Sequence, residues 1–255
     1  MAEAIVRGVI ERGVAEAPDI LVSEPLKPRR DALAKTYGVA TMNDNLSALD
    51  GPEAVVLAVK PQVMPHVLEQ LNGRIGARQV VVSIAAGVKL DTLRTGLGHD
   101  VLVRAMPNTP AQIGRGITMW TTADGTGAEA REAGAKVLQA LGEEIYVEDE
   151  KYLDMATALS GGGPAYTFLF IESLIDAGVH VGLSRDVSEQ LALETVLGSA
   201  LLYRESGAHA AALKNMVTSP GGTTAEALLV LESGGIRGLL IRAVVEAYHK
   251  AQRVG

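Results

Sequence analysis

Short apolar segments alternate with helical segments over residues 1–149, and this alternation limits the possible folds more than any other feature of the sequence. The runs ILVSE (20–24), AVVLAV (54–59) and QVVVSI (79–84) are continuously apolar, which is typical of strands covered on both faces. Further strands are predicted at 101–105, 116–121 and 144–147, with helices at 1–12, 30–37, 63–72, 89–96 and 128–141. The pattern predicts an α/β fold with a doubly wound, mainly parallel sheet.

From about Lys151 onward no strand is predicted. Helices are predicted at 150–159, 164–182, 185–205, 209–217, 223–233 and 236–253. The segment LALETVLGSALL (191–202) is apolar on more than one face, as in a helix that is buried on several sides. A domain of about one hundred residues has a small interior, so part of this apolar surface is expected to contact a second subunit. The sequence therefore predicts an all-helical domain over 150–255 that forms a homodimer or a larger homo-oligomer.

Charge and composition argue against several classes of function. The net charge is −7, with 23 Lys and Arg against 30 Asp and Glu, so no positive stripe for a nucleic acid is expected. The chain has no Cys, which excludes disulfides, thiolate nucleophiles and cysteine–metal sites. No apolar run approaches the roughly 18 residues of a membrane span, and Glu3 is unlike the start of a signal peptide. A cytoplasmic protein without a metal, nucleic-acid or membrane partner is expected.

The chain opens with MAEAIVRGVI, whose apolar positions predict a helix that begins without a cap. An open α/β sheet binds dinucleotides with a strand, a glycine-rich turn and a helix, and only the helix is found here. Burying the inward side chains of a central strand is worth roughly 5 to 10 kcal/mol, comparable with the net stability of a domain. The functional protein is therefore expected to start upstream of Met1; the alternative is a truncated chain whose cofactor site is impaired.

Four motifs follow in order along the chain: AVKPQ (58–62), VRAMPNTPAQIGRGIT (103–118), LSGGGPAY (159–166) and VTSPGGTTAEAL (217–228). With these motifs the chain resembles pyrroline-5-carboxylate reductase, from residue 1 to about residue 250. The resemblance implies reduction of 1-pyrroline-5-carboxylate to L-proline with NADPH, or with NADH. It also implies a Rossmann-like dinucleotide-binding domain at 1–149 that lacks its first strand and glycine-rich turn, and a helical substrate-binding and dimerisation domain at 150–255.

The VTSPGGTTAEAL motif predicts the start of a helix, either an ordinary capped helix or one whose N-terminus binds a carboxylate. Thr223 and Glu226 fit a T-x-x-E capping box, and a helix N-terminus attracts carboxylates. Two glycines beside paired hydroxyls allow the backbone to approach a ligand closely. The resemblance implies that this turn holds the substrate carboxylate and that Thr224, the expected catalytic residue, hydrogen-bonds the ring nitrogen. The implied substrate-binding residues are Ser219, Gly221, Gly222 and Thr223, together with Gly161, Gly162, Gly163 and Pro164.

The triple glycine at 161–163 has a second interpretation, a flexible joint between the two domains. The family usually has a serine at the middle position, where this chain has Gly162. A backbone contact and helix packing are therefore expected from this segment, and a side-chain role is in doubt.

Cofactor contacts are expected at the carboxyl edge of the sheet, where α/β proteins bind their ligands. Asn108 follows a strand there and offers a donor and an acceptor to an amide such as that of nicotinamide. Ala85 and Ala86 end the neighbouring strand with side chains small enough for a flat ring to lie close. With the resemblance, the expected cofactor-binding residues are Asn45, Ala58, Lys60, Ala85, Ala86, Met106, Asn108, Arg29 and Arg30.

The residues that follow the strand at 20–24 give conflicting signals about the cofactor. Glu24 favours the free ribose of NADH, whereas the cluster of Lys27, Arg29 and Arg30 favours the 2′-phosphate of NADPH. The basic cluster makes NADPH the expected cofactor, and NADH remains the alternative.

Reduction of a cyclic imine needs no strong base, because the imine nitrogen is partly protonated near neutral pH. None of the five His residues lies in the motifs, which agrees with such chemistry. One alternative is a β-hydroxyacid dehydrogenase, which uses a lysine on its helical domain, where Lys214 alone lies close to the proposed substrate turn. The other is a folded, inactive binding or assembly protein.

Overall fold

The computed structural model describes residues 1–254, and at Val254 the backbone alone. These residues form two compact units, one of residues 1–162 with the chain from residue 247 onward, and one of residues 163–246. The boundary expected at residue 150, between the dinucleotide-binding domain and the helical domain, stays a prediction. Within the described residues, no helix is long and apolar enough to cross a membrane.

The first unit is an α/β structure built on two sheets. Its strands are β1 (Leu21–Ser23), β2 (Ala40–Met42), β3 (Ala54–Leu57), β4 (Val80–Ser83), β5 (Leu102–Met106), β6 (Gly116–Thr122) and β7 (Gly142–Tyr146). Its helices are α1 (Ala2–Glu11), α2 (Lys27–Tyr37), α3 (Met64–Leu71), α4 (Leu90–Leu97), α5 (Ala128–Gln139) and α6 (Lys151–Ala156). Strands β3 to β7 form one sheet in sequence order, and only the β5–β6 pair is antiparallel. The expected mainly parallel α/β fold is confirmed.

Apolar side chains fill both faces of the five-stranded sheet, which explains why its central strand is continuously apolar. Val81 of β4 packs with Leu93 and Leu97 of α4 on one face. Val82 packs with Leu138 of α5 on the other face, and all five side chains are fully buried. Because neighbouring residues of a strand point to opposite faces, a strand covered on both sides needs apolar residues at every position.

Strands β1 and β2 form a separate parallel pair, in which Leu21 lies opposite Ala40. The sequence did not indicate β2, since its three residues, Ala-Thr-Met, include no apolar run. Within the described residues, β1 pairs only with β2 and β3 only with β4, so each has one edge without a strand partner. The further strand expected from the sequence stays a prediction.

The second unit is entirely helical. It contains α7 (Gly163–His180), α8 (Arg185–Ser206), α9 (Ala210–Met216), α10 (Thr223–Ser233) and most of α11 (Ile236–Val254). Helices α7 and α8 approach closely at Gly178, where an added Cβ atom would lie 2.6 Å from Ser188 Oγ. Of its residues, only Ser188 and Ala192 are buried. Most of the unit's apolar side chains therefore lie on its surface in the single chain.

Candidate functional site

The loops after β4 and β5 lie side by side at one edge of the sheet. The two strands run parallel with Ser83 opposite Arg104, so their carboxyl ends meet at that edge. Ala85 follows β4 and is 3% exposed, and Ala86 next to it is half-buried. Met106, the last residue of β5, is also half-buried. The structure thus brings together the small residues and the methionine that the sequence assigns to the nicotinamide.

Asn108 has a more specific role than the sequence predicts. Its side-chain oxygen accepts a hydrogen bond of 3.0 Å from the backbone N–H of Ile117, the second residue of β6. This bond uses one of the two acceptor sites of the oxygen and fixes the orientation of the side chain. The amide nitrogen Nδ2 is the group of Asn108 that suits a ligand carbonyl.

Asn45 joins two elements near the carboxyl end of β1. Its Oδ1 accepts a hydrogen bond of 2.8 Å from Ser23 Oγ, and its Nδ2 donates one of 2.9 Å to Gln70 Oε1 on α3. Ala58 and the exposed Lys60 follow β3, which runs parallel to β4 and ends at the same edge. Gln70 has no signal in the sequence, because no local pattern links two residues that lie 25 positions apart.

Glu24 is held by its own loop. One carboxylate oxygen accepts a hydrogen bond of 3.0 Å from Leu26 N, and the other lies 3.6 Å from Arg29 Nε. Arg30 donates to the backbone oxygens of Glu24 and Pro25 at 2.7 and 2.8 Å, so it braces the same turn. The guanidinium of Arg29 remains largely exposed, at 60% of its side-chain surface. Of the basic cluster, Arg29 therefore pairs with Glu24, whereas Lys27 pairs with Asp31 at 2.7 Å.

A π-helical turn at Thr157–Gly161 follows α6 and contains the start of the triple glycine. The N–H of Gly162 donates to the carbonyl of Thr157 at 2.9 Å, a bond that spans five residues. A side chain at Gly161 would lie 2.6 Å from Cε of Met106. The turn thus lies against the Met106 side chain at the end of β5, and a side chain at residue 161 would displace that methionine's methyl group. Gly163 and Pro164, the other two residues assigned to this segment, are the first residues of α7.

The capping box predicted at Thr223 and Glu226 is wrong. Helix α10 begins at Thr223 with Gly222 as its N-cap, and no side chain caps it. Because the helix starts one residue earlier than a capping box at Thr223 requires, the Thr223 side chain lies within the first turn. The carbonyl of Gly222 accepts from the N–H groups of Ala225 and Glu226. The amides of Thr223 and Thr224 stand at a helix start that no side chain covers, which suits an anion.

The turn before α10 is shaped by its glycines. Gly221 has a φ of +68°, in the left-handed region that favours glycine. A side chain at Gly222 would lie 2.4 Å from Ser219 Oγ and 3.2 Å from Ser219 O. Ser219 and Thr223 are exposed, whereas Thr224 is half-buried. The predicted substrate residues 219 and 221–224 therefore form one continuous turn that leads into α10.

One ionic cluster of the first unit was not identified from the sequence. Arg104 of β5 is 3% exposed, and its guanidinium lies 2.7 Å from Glu150 and 3.3 Å from Asp154. Two signals were present in the sequence: a charged residue inside the apolar strand VLVRA, and two carboxylates four residues apart near the start of a helix. Neither signal says that the three side chains meet.

Both parts of the chain match known protein families. Residues 150–254 match the family model described as pyrroline-5-carboxylate reductase dimerisation, and residues 1–87 match the one described as NADP oxidoreductase, coenzyme F420-dependent. The chain is 43% identical to pyrroline-5-carboxylate reductase of Synechocystis sp., an alignment that covers 100% of this chain and 95% of the relative. It is 36% identical to the enzyme of Escherichia coli, covering 100% of this chain and 94% of that relative.

Solved structures agree with the sequence relatives. A pyrroline-5-carboxylate reductase from Coxiella burnetii has a TM-score of 0.90 at 35% identity, covering 100% of this chain and 94% of that chain. The pyrroline carboxylate reductase of Plasmodium falciparum, with NADP bound, has a TM-score of 0.89 at 31% identity. That match covers 99% of this chain and 93% of the Plasmodium chain.

The α/β fold, the match of residues 1–87 to an NADP oxidoreductase model and the full-length relatives place the chain among the nicotinamide-dinucleotide-dependent oxidoreductases. The match of residues 150–254 to a dimerisation model then identifies the family within this class. The chain belongs to the pyrroline-5-carboxylate reductase family. The family membership expected from the four motifs is confirmed, and the alternative of a β-hydroxyacid dehydrogenase has no support among these relatives.

Proposed function

We propose that the nicotinamide of NAD(P)H binds at the ends of β4 and β5 and that the substrate carboxylate binds at the start of α10. The chain reduces 1-pyrroline-5-carboxylate to L-proline as an NAD(P)H-dependent oxidoreductase, and the similarity over its whole length to reductases of this name carries that conclusion. Ala85, Ala86 and the Nδ2 group of Asn108 fit a flat ring with a carboxamide. Arg29, with its exposed guanidinium, fits the phosphate-bearing end of a dinucleotide.

The chain's own contribution to the reaction is orientation and charge placement. Bound NAD(P)H supplies the hydride that reduces the C=N carbon. The first amides of α10 hold the carboxylate at the positive end of the helix dipole. The half-buried hydroxyl of Thr224 directs the ring nitrogen, which carries its proton from solution and becomes the secondary amine of proline. Well-oriented reactants gain about 7 to 11 kcal/mol over free ones. No strong base is needed, because hydride addition to the protonated imine removes no proton.

The activity is tested by following NADPH absorbance with this chain and 1-pyrroline-5-carboxylate. Turnover that depends on both reactants and produces L-proline is expected. A second arm supplies NAD⁺ and a β-hydroxyacid, for which no turnover is expected. Tight NADPH binding without imine reduction would contradict the proposed function and favour a binding or assembly role.

NADPH is proposed as the preferred cofactor, because the exposed guanidinium of Arg29 lies 3.6 Å from Glu24 and offsets the carboxylate charge that would repel a 2′-phosphate. The change Arg29→Ala is expected to raise the KM for NADPH about 10-fold, the cost of one hydrogen bond to a charged group. The KM for NADH should change little. Lys35→Ala, an exposed change on the same helix α2, serves as the control. Equal effects on the two cofactors would argue against a 2′-phosphate contact by Arg29.

A homodimer, or a larger oligomer built from dimers, is the proposed assembly. The run Leu239–Ile241 on α11 is apolar and more than half exposed in the single chain, which is unusual for a protein surface. Leu240→Asp is expected to give a species near the chain mass of 26.7 kDa in light scattering, while the parent shows at least twice that mass. The control is Gln190→Asp, which changes an exposed polar position on α8. A monomeric parent would contradict the proposed assembly.

We propose a cytoplasmic location and a small molecule as the ligand, with no nucleic-acid or membrane partner. Reduced nicotinamide cofactors are held inside cells, and the net charge of −7 disfavours polyanions. Fractionation of the source cells, followed by detection of the chain, tests the location.

A further inference from the structure

A buried guanidinium lies beneath the loops assigned to the nicotinamide. Arg104 is the one charged residue of β5, and its side chain is 4% exposed. Its Nη1 donates to Glu150 Oε1 at 2.7 Å, and its Nη2 donates to Asp154 Oδ1 at 3.3 Å. Removing charges from water is costly, and a buried ion pair is often no more stabilising than apolar residues of the same size. The cluster is therefore better explained by the geometry that it imposes than by stability.

Glu150 connects this guanidinium to the loop after β4. The same oxygen that binds Arg104 also accepts a hydrogen bond of 2.7 Å from the N–H of Leu90. Leu90 is the first residue of α4, and the N-cap residue Lys89 provides no side-chain cap. A carboxylate from 60 residues further along the chain thus caps the helix that follows Ala85 and Ala86.

Asp154 connects the guanidinium to the π-helical turn. It lies on α6, which leads directly into Thr157–Gly161. Gly161 in turn lies against Met106, two residues beyond Arg104 on β5. Three segments therefore meet at Arg104: the loop between β4 and α4, the end of β5, and α6 with its π-helical turn. All three belong to the first unit.

We propose that Arg104 is a positioning residue for hydride transfer, which acts through Glu150 and Asp154. It fixes the loop of residues 85–90 and the π-helical turn relative to Met106, and so holds the nicotinamide ring at a defined depth at the sheet edge. Misplacement of reacting groups by about 1 Å can lower a rate about 100-fold. This role rests on the proposed function, since it assumes that the nicotinamide binds at these loops.

The test compares Glu150→Ala with Glu150→Gln. The alanine removes the acceptor for both Leu90 N–H and Arg104, while Asp154 still pairs with the guanidinium. The glutamine keeps an oxygen that can accept both bonds. These variants are preferred to a change at Arg104, which would leave two carboxylates without their cation and endanger folding.

Three readouts are measured for each variant. In the cofactor-free protein, hydrogen exchange of residues 85–92 should accelerate in Glu150→Ala and stay near the parent rate in Glu150→Gln. The Kd for NADPH should change less than about threefold, because Glu150 is not among the residues assigned to cofactor contact. The fluorescence anisotropy of the bound nicotinamide should fall. The kcat should fall about 10- to 100-fold with little change in KM, the signature of a lost orientation effect. Glu150→Gln should recover most of the kcat.

The control is Leu33→Ala, which opens a cavity in the separate core that Leu33 forms with Val6 and Val39. It should lower stability without changing kcat per folded molecule. If Glu150→Ala behaves like this control, or keeps the parent exchange and anisotropy, the positioning role is overturned. If the parent does not reduce the imine but Glu150→Ala still alters exchange and anisotropy, the proposed substrate fails and the positioning role stands.

Discussion

The change Thr224→Val is expected to lower kcat/KM for 1-pyrroline-5-carboxylate about 10- to 100-fold, the cost of one hydrogen bond to a charged group. Valine has nearly the shape of threonine, so the substitution removes the hydroxyl and leaves the volume unchanged. Thr224 lies half-buried in the first turn of α10, next to the helix start that no side chain caps. Steady-state kinetics with saturating NADPH measure the effect.

The Kd for NADPH should be unchanged in Thr224→Val, because the residue is assigned to the substrate. The matched control is Thr195→Val, which removes the same hydroxyl from an exposed position on α8 of the same unit. It should keep parent kinetics. A Thr224→Val enzyme with full turnover would remove this residue from the mechanism.

The change Gly142→Ala is expected to destabilise the protein by about 3 kcal/mol or more, through backbone strain and steric overlap together. Gly142 starts β7 with a φ of +137°, where residues with a side chain are strained. A Cβ there would lie 2.1 Å from the carbonyl oxygen of Gly116 and 2.7 Å from its nitrogen. Both atoms are backbone and lie at the paired start of β6, so no rotamer change relieves the overlap. Urea denaturation measures the loss.

A substitution at a second glycine distinguishes the cost of backbone strain from the cost of steric overlap. Gly125 has a φ of +86°, but a Cβ there would meet nothing within 4 Å. Gly125→Ala should therefore cost only about 1 to 2 kcal/mol, the backbone contribution alone. If the two variants lose the same stability, the close approach of β6 and β7 is not the cause.

Local signals in the sequence predicted most of the α/β unit. The run QVVVSI indicated β4 because a strand covered on both faces needs apolar residues throughout. The three residues of β2 have no such run, so only their pairing with β1 identifies them as a strand. The helix at α10 was expected, but not that Gly222 would be its N-cap, because a T-x-x-E spacing alone does not fix where the helix begins.

Part of the candidate site was likewise predicted from the sequence, and part was seen only in the structure. The small residues at 85–86 and the glycines before α10 were found from the sequence, since their types and neighbours carry the signal. The sequence did not indicate the internal bond that the Asn108 oxygen accepts from Ile117. That bond joins residues nine positions apart, across a turn whose shape the sequence does not specify.

The sequence by itself determined where strands and helices lie and in what order the motifs follow, because these depend on residues close together along the chain. Only the tertiary structure decided that β6 runs antiparallel to β5 and that Arg104 meets Glu150 and Asp154. Such contacts depend on which distant segments pack together. A buried charge reveals its role only when the groups that surround it are known.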